Sequence, residues 1–331
     1  MHLGQPCREP SGEAAGHSIP MSTLICGSIA FDSIMVFRGR FKDHILPEQV
    51  HILNVAFLVP QLRREYGGTA GNIAYSLKLL GGDPLPMATV GNDAAAYLQR
   101  FAGLGINRAH LREVADSYTA QAFITTDLDD NQITAFHPGA MSLSHLNEVP
   151  VDGSVRLGIV APDGREGMIA HATQFAEHGI PFIFDPGQGL PMFDAAELDT
   201  FLGQATYAVL NDYEAQLVVD KTGKPIETLA QKVSALIVTR GGQGSDIFVG
   251  GRVLHIPVAR TRRVVDPTGC GDAYRAGLLY GLANGMDWET TGRLAAVMGA
   301  LKIEQSGAQN HTASRDEIAD RFGESFSFRP W

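Results

Sequence analysis

From residue 156 onward the chain repeats one pattern: a short run of consecutive apolar residues, a polar cluster, then apolar residues at helical spacing. Residues 156–161 form such a run, and 167–177 read as the helix after it. Residues 181–184 end in Asp185-Pro-Gly-Gln188-Gly, residues 206–210 in Asn211-Asp-Tyr-Glu214, and residues 235–239 in Arg240-Gly-Gly-Gln-Gly244. Unbroken apolar strands alternating with helices belong to a parallel sheet covered on both faces. The same reading predicts a first strand over 23–30 (TLICGSIA), a strand over 86–91, and helices over 94–104, 287–305 and 315–322.

Two segments break the alternation. Residues 36–66 carry apolar pieces without a clean period. Residues 118–137, YTAQAFITTDLDDNQITAFH, read as two β-rich runs around a turn cluster at 127–131, hence a hairpin. A hairpin inside an alternating α/β pattern predicts a small second sheet, with Phe136 on it.

In open α/β sheets, ligands sit beyond the carboxyl ends of the strands. Asp32 lies just past Gly27-Ser28 at the end of the first run, placed to hold hydroxyls or to serve as a turn residue. In YGGTAGNIAYSLKLLGG, Gly67, Gly68 and Gly71 open a helix that Gly82 closes, and Asn72 lies in its first turn, where packing explains the glycines as well as binding does. In RVVDPTGCGDAYRAG, Val264 and Val265 read as the end of a buried strand, Gly269 and Gly271 as a tight turn, and Asp272 as the start of a helix. Bare N–H groups at a helix N-terminus make an anion site. A carboxylate there cannot bind phosphate, but it can take a proton from an attacking hydroxyl. The plainer alternative is a capping Asp. Asn211 and Glu214, three apart in one turn, face the same way.

Composition narrows the classes. The net charge is −10 with no Lys/Arg run, which argues against a nucleic-acid or anionic-membrane surface. Hydrophobic residues make up 44 % of 331, enough for a sizeable core. Three cysteines without CxxC spacing fit a reducing cytoplasm rather than a disulfide or zinc framework. Residues 1–20 carry charges where a signal peptide has an apolar run, and read as a loosely ordered extension before Met21. No P-loop, dinucleotide fingerprint, HExxH or GxSxG motif is present.

DPTGCGDAYRAG resembles the C-terminal signature of the PfkB family, the ribokinase-like sugar and nucleoside kinases. The Gly67-Gly68 pair with Asn72 is similar to the N-terminal signature, NDYE to the family's NxxE element, and RGGQG to its nucleotide loop. The resemblance runs from Met21 to about Ala308. It implies a three-layer α/β/α sandwich around a mostly parallel sheet, in one kinase domain over 21–331, with a β lid from about 36–66 and 115–140. It implies transfer of the ATP γ-phosphoryl group with Mg²⁺, and leaves open K⁺ and a homodimer through the lid. Asp272 would be the general base, with Gly269, Cys270 and Gly271 as the anion hole; Cys270 stands where Ala is common. Ser28, Asp32, Gly68 and Asn72 would hold the ribose, and Phe136 and Gln188 the base. Asn211, Thr239, Gly241 and Gly244 would line the ATP site, with Glu214 and Asn211 reaching Mg²⁺ through water. GSIAFDSIM, GRFKDHILPEQVH and NDYE look most like the adenosine and broad-specificity nucleoside kinases, implying purine salvage. A sugar kinase of the same fold and a nucleoside-binding regulator are the alternatives.

Overall fold

The computed structural model describes residues 22–45, 54–129 and 131–331. Its strands in chain order are β1 (Ser22–Cys26), β2 (Ala30–Val36), β3 (Gln61–Gly67), β4 (Pro84–Gly91), β5 (Leu111–Val114), β6 (Ala120–Thr126) and β7 (Gln132–His137). They continue with β8 (Val155–Val160), β9 (Phe182–Phe184), β10 (Tyr207–Asn211), β11 (Ala235–Thr239), β12 (Ser245–Val249) and β13 (Arg252–Ile256). The helices are α1 (Thr69–Leu79), α2 (Ala95–Gly103), α3 (Arg165–Glu177), α4 (Ala195–Gln204), α5 (Asp212–Thr222), α6 (Ile226–Ala230), α7 (Cys270–Ala283), α8 (Trp288–Ile303) and α9 (Arg315–Phe326).

The large sheet runs β13-β12-β11-β10-β9-β8-β1-β4-β5. It is parallel from β11 to β5, and the β12–β13 hairpin closes one edge antiparallel. Successive residues of each strand feed two cores. Ile25 and Ile237 join the core under α1, α2, α7, α8 and α9, while Leu24, Cys26, Leu236 and Val238 join the core under α3 to α6. Both faces are therefore apolar, which is why these strands read as unbroken apolar runs.

The second sheet has the order β3-β2-β6-β7, with β2 and β6 parallel and its outer pairs antiparallel. The 118–137 hairpin is thus a real pair of strands, and the irregular 36–66 segment supplies β3. Residues 1–20 and 46–53 lie outside the described residues.

Two expectations are corrected. The run 23–30 is not one strand: the chain leaves the large sheet after Cys26 and enters the small sheet at Ala30. Ile29 and Phe31 stay buried against the α1/α2 side, and Ala30 between them is buried too, so burial continues through the change of sheet. Val264 and Val265 do not end a buried strand; they are 73 % and 48 % exposed. The N–H groups of Val265 and Asp266 instead donate to the Ile303 carbonyl (2.8 and 3.2 Å), tying this segment to the end of α8.

Candidate active site

Three chain segments meet at the carboxyl edge of the large sheet. The first is the start of α1. Gly68 precedes it at φ 86°, and a Cβ there would lie 2.5 Å from the Ser28 carbonyl oxygen, so only glycine lets α1 start this close to the end of β1. The Thr69 hydroxyl donates to the Pro162 carbonyl (2.9 Å), and the Ser28 hydroxyl accepts from the Thr69 N–H (3.1 Å). These bonds fix the helix start against the strands. Asn72 then points its amide across to α7, where Nδ2 donates to Asp272 Oδ2 at 2.8 Å. Its other end is set by Gln309, whose Nε2 donates to Asn72 Oδ1 (3.0 Å) and to the Tyr97 hydroxyl (2.6 Å). The Tyr97 hydroxyl in turn donates to the Gly67 carbonyl (2.6 Å). The orientation of the Asn72 amide is therefore dictated by its partners rather than free.

The second segment is the turn into α7. Gly269 sits at the N-cap with φ 78°, and a Cβ would touch Ala308 at 2.9 Å. The helix begins at Cys270, two residues before the predicted start. The Cys270 N–H is used within the turn, donating to the Pro267 carbonyl (3.1 Å). Gly271 is exposed, and Asp272 is partly buried behind it. Burial pushes Asp272 up to about 6; the Asn72 hydrogen bond and the Arg275 charge oppose this, and Asp185 and Asp32 add to it. Burial likewise pushes the Cys270 thiol up to about 11, so at neutral pH it is a neutral filler.

The third segment is the edge of the small sheet. Asp32 on β2 pairs with Glu65 on β3 and Ala122 on β6, and Ala122 pairs with Phe136 on β7. Directly paired residues share a face, so Phe136, 51 % exposed, stands on the Asp32 side. Phe123, paired with Ser33 and Ala135, faces the other way. Asp32 is also pushed up to about 6, first by burial, then by the Glu65 and Asp266 charges.

Two cavities meet at Gly271 and Arg275. One, of about 420 Å³, has Thr239, Gly241 and Gly244 at one end and apolar walls including Val258, Val264, Ala300 and Ile303. Val264 is thus apolar and exposed because it lines this opening. The other, of about 200 Å³, is lined by Asp185, Gln188, Asn211, Glu214 and Asp272. Of the sequence-predicted residues, the structure gathers Gln188, Asn211, Glu214 and Asp272, with Gly269 and Gly271, around the smaller cavity; Asp185 was not among them. Phe136 does not join Gln188 there.

Asn211 and Glu214 form a reciprocal cap on α5. The Glu214 N–H donates to Asn211 Oδ1 (2.7 Å), while the Asn211 backbone and side-chain N–H groups donate to Glu214 Oε2 (2.7 Å) and Oε1 (2.8 Å). Burial raises the Glu214 carboxyl, with Asp185 adding to the effect. Beneath the cavity Arg275 makes a buried, two-pronged pair with Asp185, Nε to Oδ2 (3.0 Å) and Nη2 to Oδ1 (2.9 Å). Arg275, Gln309 and Glu65 were missed from sequence. Arg275 left a signal, an arginine inside the apolar stretch AYRAGLLYG, which demands a buried carboxylate.

A mostly parallel sheet with a glycine-capped helix start at its carboxyl edge, a partly buried carboxylate behind it and a cavity on each side fits a kinase-like phosphotransferase site. The model of the pfkB family carbohydrate kinases matches residues 29–315, and the chain belongs to that family. It is a phosphotransferase acting on an alcohol group. The chain is 55 % identical to the structure of a Burkholderia thailandensis nucleoside kinase in complex with inosine, with a TM-score of 0.84 over 93 % of this chain and 99 % of that one. The same enzyme in complex with ADP-inosine superposes with a TM-score of 0.82 at 56 % identity, over 93 % and 97 % of the two chains. A nucleoside kinase of Methanocaldococcus jannaschii is 31 % identical over 271 residues, 81 % of this chain and 89 % of its own.

Proposed function

We propose that this chain phosphorylates the 5′-hydroxyl of adenosine, inosine or a related purine nucleoside with ATP, returning free nucleosides to the nucleotide pool as purine salvage does. The observation that carries the reading is the juxtaposition of Asp272 with Gly269 and Gly271 where the two cavities meet. ATP would enter the larger, apolar-walled cavity beside Thr239, Gly241 and Gly244 and extend its phosphates toward Gly271. The nucleoside would lie across the smaller one. Ser28, Gly68, Asn72 and Asp32 would hold its ribose. Phe136, on the Asp32 face of the small sheet, would cover the base, with Gln188 contacting the nucleoside from the Asp272 cavity.

Asp272 would take the 5′-hydroxyl proton as the oxygen attacks the γ-phosphorus, whose bond to the β–γ bridging oxygen breaks as ADP leaves. N–H groups at the start of α7 would hold the charge that grows on the transferred phosphoryl oxygens. Cys270 contributes its place in the turn more than its N–H, since Pro267 already accepts that proton.

The donor set fits Mg²⁺ held through water. Asp185 is occupied by Arg275 and both Glu214 oxygens accept from Asn211, and no group of three or more His, Cys, Asp or Glu that could hold a metal is found among the described residues. Mg²⁺ keeps several waters and binds mainly to phosphates plus one or two carboxylates, which leaves Glu214 and Asn211 as outer partners. When bound it neutralises phosphate charge.

The test is kcat/KM for adenosine, inosine and ribose on wild type, Phe136→Ala and Phe123→Ala. An aromatic face on a base is worth about 1–3 kcal/mol, or roughly five- to 150-fold. Phe136→Ala should lose that much on nucleosides and little on ribose, while Phe123→Ala, on the far face, changes neither. Ribose preferred by wild type, or equal losses on all three acceptors, would move the assignment to a sugar kinase.

A further inference from the structure

Behind the turn into α7 lies a buried ammonium. Lys302, in the last turn of α8, has 0 % exposure. Its Nζ donates to the Asp266 carbonyl and to the Gln305 carbonyl, each at 2.9 Å. A lysine at a helix C-terminus is ordinary, but such side chains normally keep the charge in water. Burying that charge is costly unless it is paired and hydrogen-bonded, and here the partners are two carbonyls. Only one acceptor belongs to the helix's own end. The other comes from 36 residues away, on the segment that leads into Gly269.

The same two segments are stitched together around it. The Asp266 carboxylate accepts from the N–H groups of Thr268 (2.9 Å) and Gly307 (2.8 Å), and the N–H groups of Val265 and Asp266 donate to Ile303. Gly269 packs directly on Ala308. Residues 265–269 and 303–308 thus form a clamp whose product is the direction of the N–H groups at the α7 start. Two carbonyl dipoles aimed at one buried point repel each other unless a cation lies between them.

We propose that Lys302 is a positioning residue that supplies this cation from the chain itself, so that phosphoryl transfer needs no K⁺ or other bound monovalent ion. The proposal rests on the kinase reading of the site. An ammonium and K⁺ are close in size and carry one charge, and the Asp266 and Gln305 carbonyls that could gather a K⁺ are already turned to Nζ. A K⁺ ion at that point would meet a like charge at contact distance.

The experiment compares ATP-dependent inosine phosphorylation in KCl, NaCl and tetramethylammonium chloride at equal ionic strength, for wild type, Lys302→Ala and Lys302→Met. Wild-type kcat should be the same within about twofold in all three salts, since only screening is shared. Lys302→Ala in tetramethylammonium should lose about 10²-fold in kcat, the scale of a misplaced catalytic group, with a smaller change in nucleoside KM. K⁺ should restore about tenfold of that loss in Lys302→Ala, where space is left, and less in Lys302→Met, where the side chain fills it. Melting temperature in the same salts needs no substrate: K⁺ should raise it for Lys302→Ala and leave wild type unmoved. That arm separates this inference from the choice of acceptor. Wild-type stimulation by K⁺ well beyond twofold, an unchanged kcat in Lys302→Ala, or a loss that no cation relieves would each overturn the proposal. If the variants do not fold, the wild-type salt series decides.

Discussion

Replacing Asn72 by Ala tests which carboxylate limits the reaction at low pH. In the structure the Asn72 Nδ2 donates to Asp272 Oδ2 at 2.8 Å, and that bond favours the charged form of an aspartate that burial holds at about 6. A hydrogen bond to a charged group contributes about 1.5–3 kcal/mol, and about 1.4 kcal/mol corresponds to one pH unit. Asn72→Ala should therefore move the acid limb of kcat/KM upward by about one pH unit or more, because a protonated Asp272 cannot accept the hydroxyl proton. Loss of the proposed ribose contact should lower the plateau as well, but the readout is where the limb lies. Asp32 also titrates near 6, so the observed limb belongs to the pair. Glu65→Gln separates the two, since it removes a charge that raises Asp32 and is not among the charges raising Asp272. The assay is a pH–rate profile from pH 5 to about 9 with inosine and saturating ATP. A limb that stays put or moves down in Asn72→Ala, or one that follows only Glu65→Gln, refutes the assignment of Asp272 as the limiting base.

Asp272→Asn should be more stable than wild type at alkaline pH. The folded carboxyl titrates at about 6 against an ordinary 3.8, so the fold binds the proton more tightly than the unfolded chain does. The wild-type cost is absent below 3.8, grows as pH rises through 6 and is complete above it. Urea melts should show Asp272→Asn ahead by up to about 3 kcal/mol at alkaline pH and level with wild type at acid pH; the opposite order would contradict the burial argument. Arg275→Met leaves the Asp185 carboxylate buried without its partner and should destabilise by about 3–5 kcal/mol, measured the same way. A loss under about 1 kcal/mol would mean that the pair is already solvated.

The parallel sheet was legible because both of its faces are buried, so each strand is an unbroken apolar run between polar clusters. That same signal failed at 23–30, where Ile29 and Phe31 stay buried while the backbone changes sheets, and at Val264, whose apolar side chain lines a cavity rather than a strand. The β12–β13 hairpin escaped notice because its outer strand is exposed at the edge and lacks that run. At the site, residues whose types carry chemistry in short motifs, such as Asp272, Asn72, Asn211 and Glu214, could be named in advance. Gln309 could not: it acts by turning the Asn72 amide from 237 residues away, and nothing local marks it. Lys302 reads locally as an ordinary last-turn lysine, and only the approach of the Asp266 carbonyl gives it a different meaning.

The central claim is that Asp272 activates a nucleoside 5′-hydroxyl toward ATP. Its most direct test is product analysis by ³¹P NMR of inosine with ATP and Mg²⁺, for wild type and Asp272→Asn. The expected result is inosine 5′-monophosphate and ADP in equal amounts from wild type, with kcat about 10²–10⁴-fold lower in Asp272→Asn and inosine binding nearly unchanged. Turnover by Asp272→Asn within about threefold of wild type, far below the worth of a general base, or no phosphorylated inosine from wild type, would contradict it.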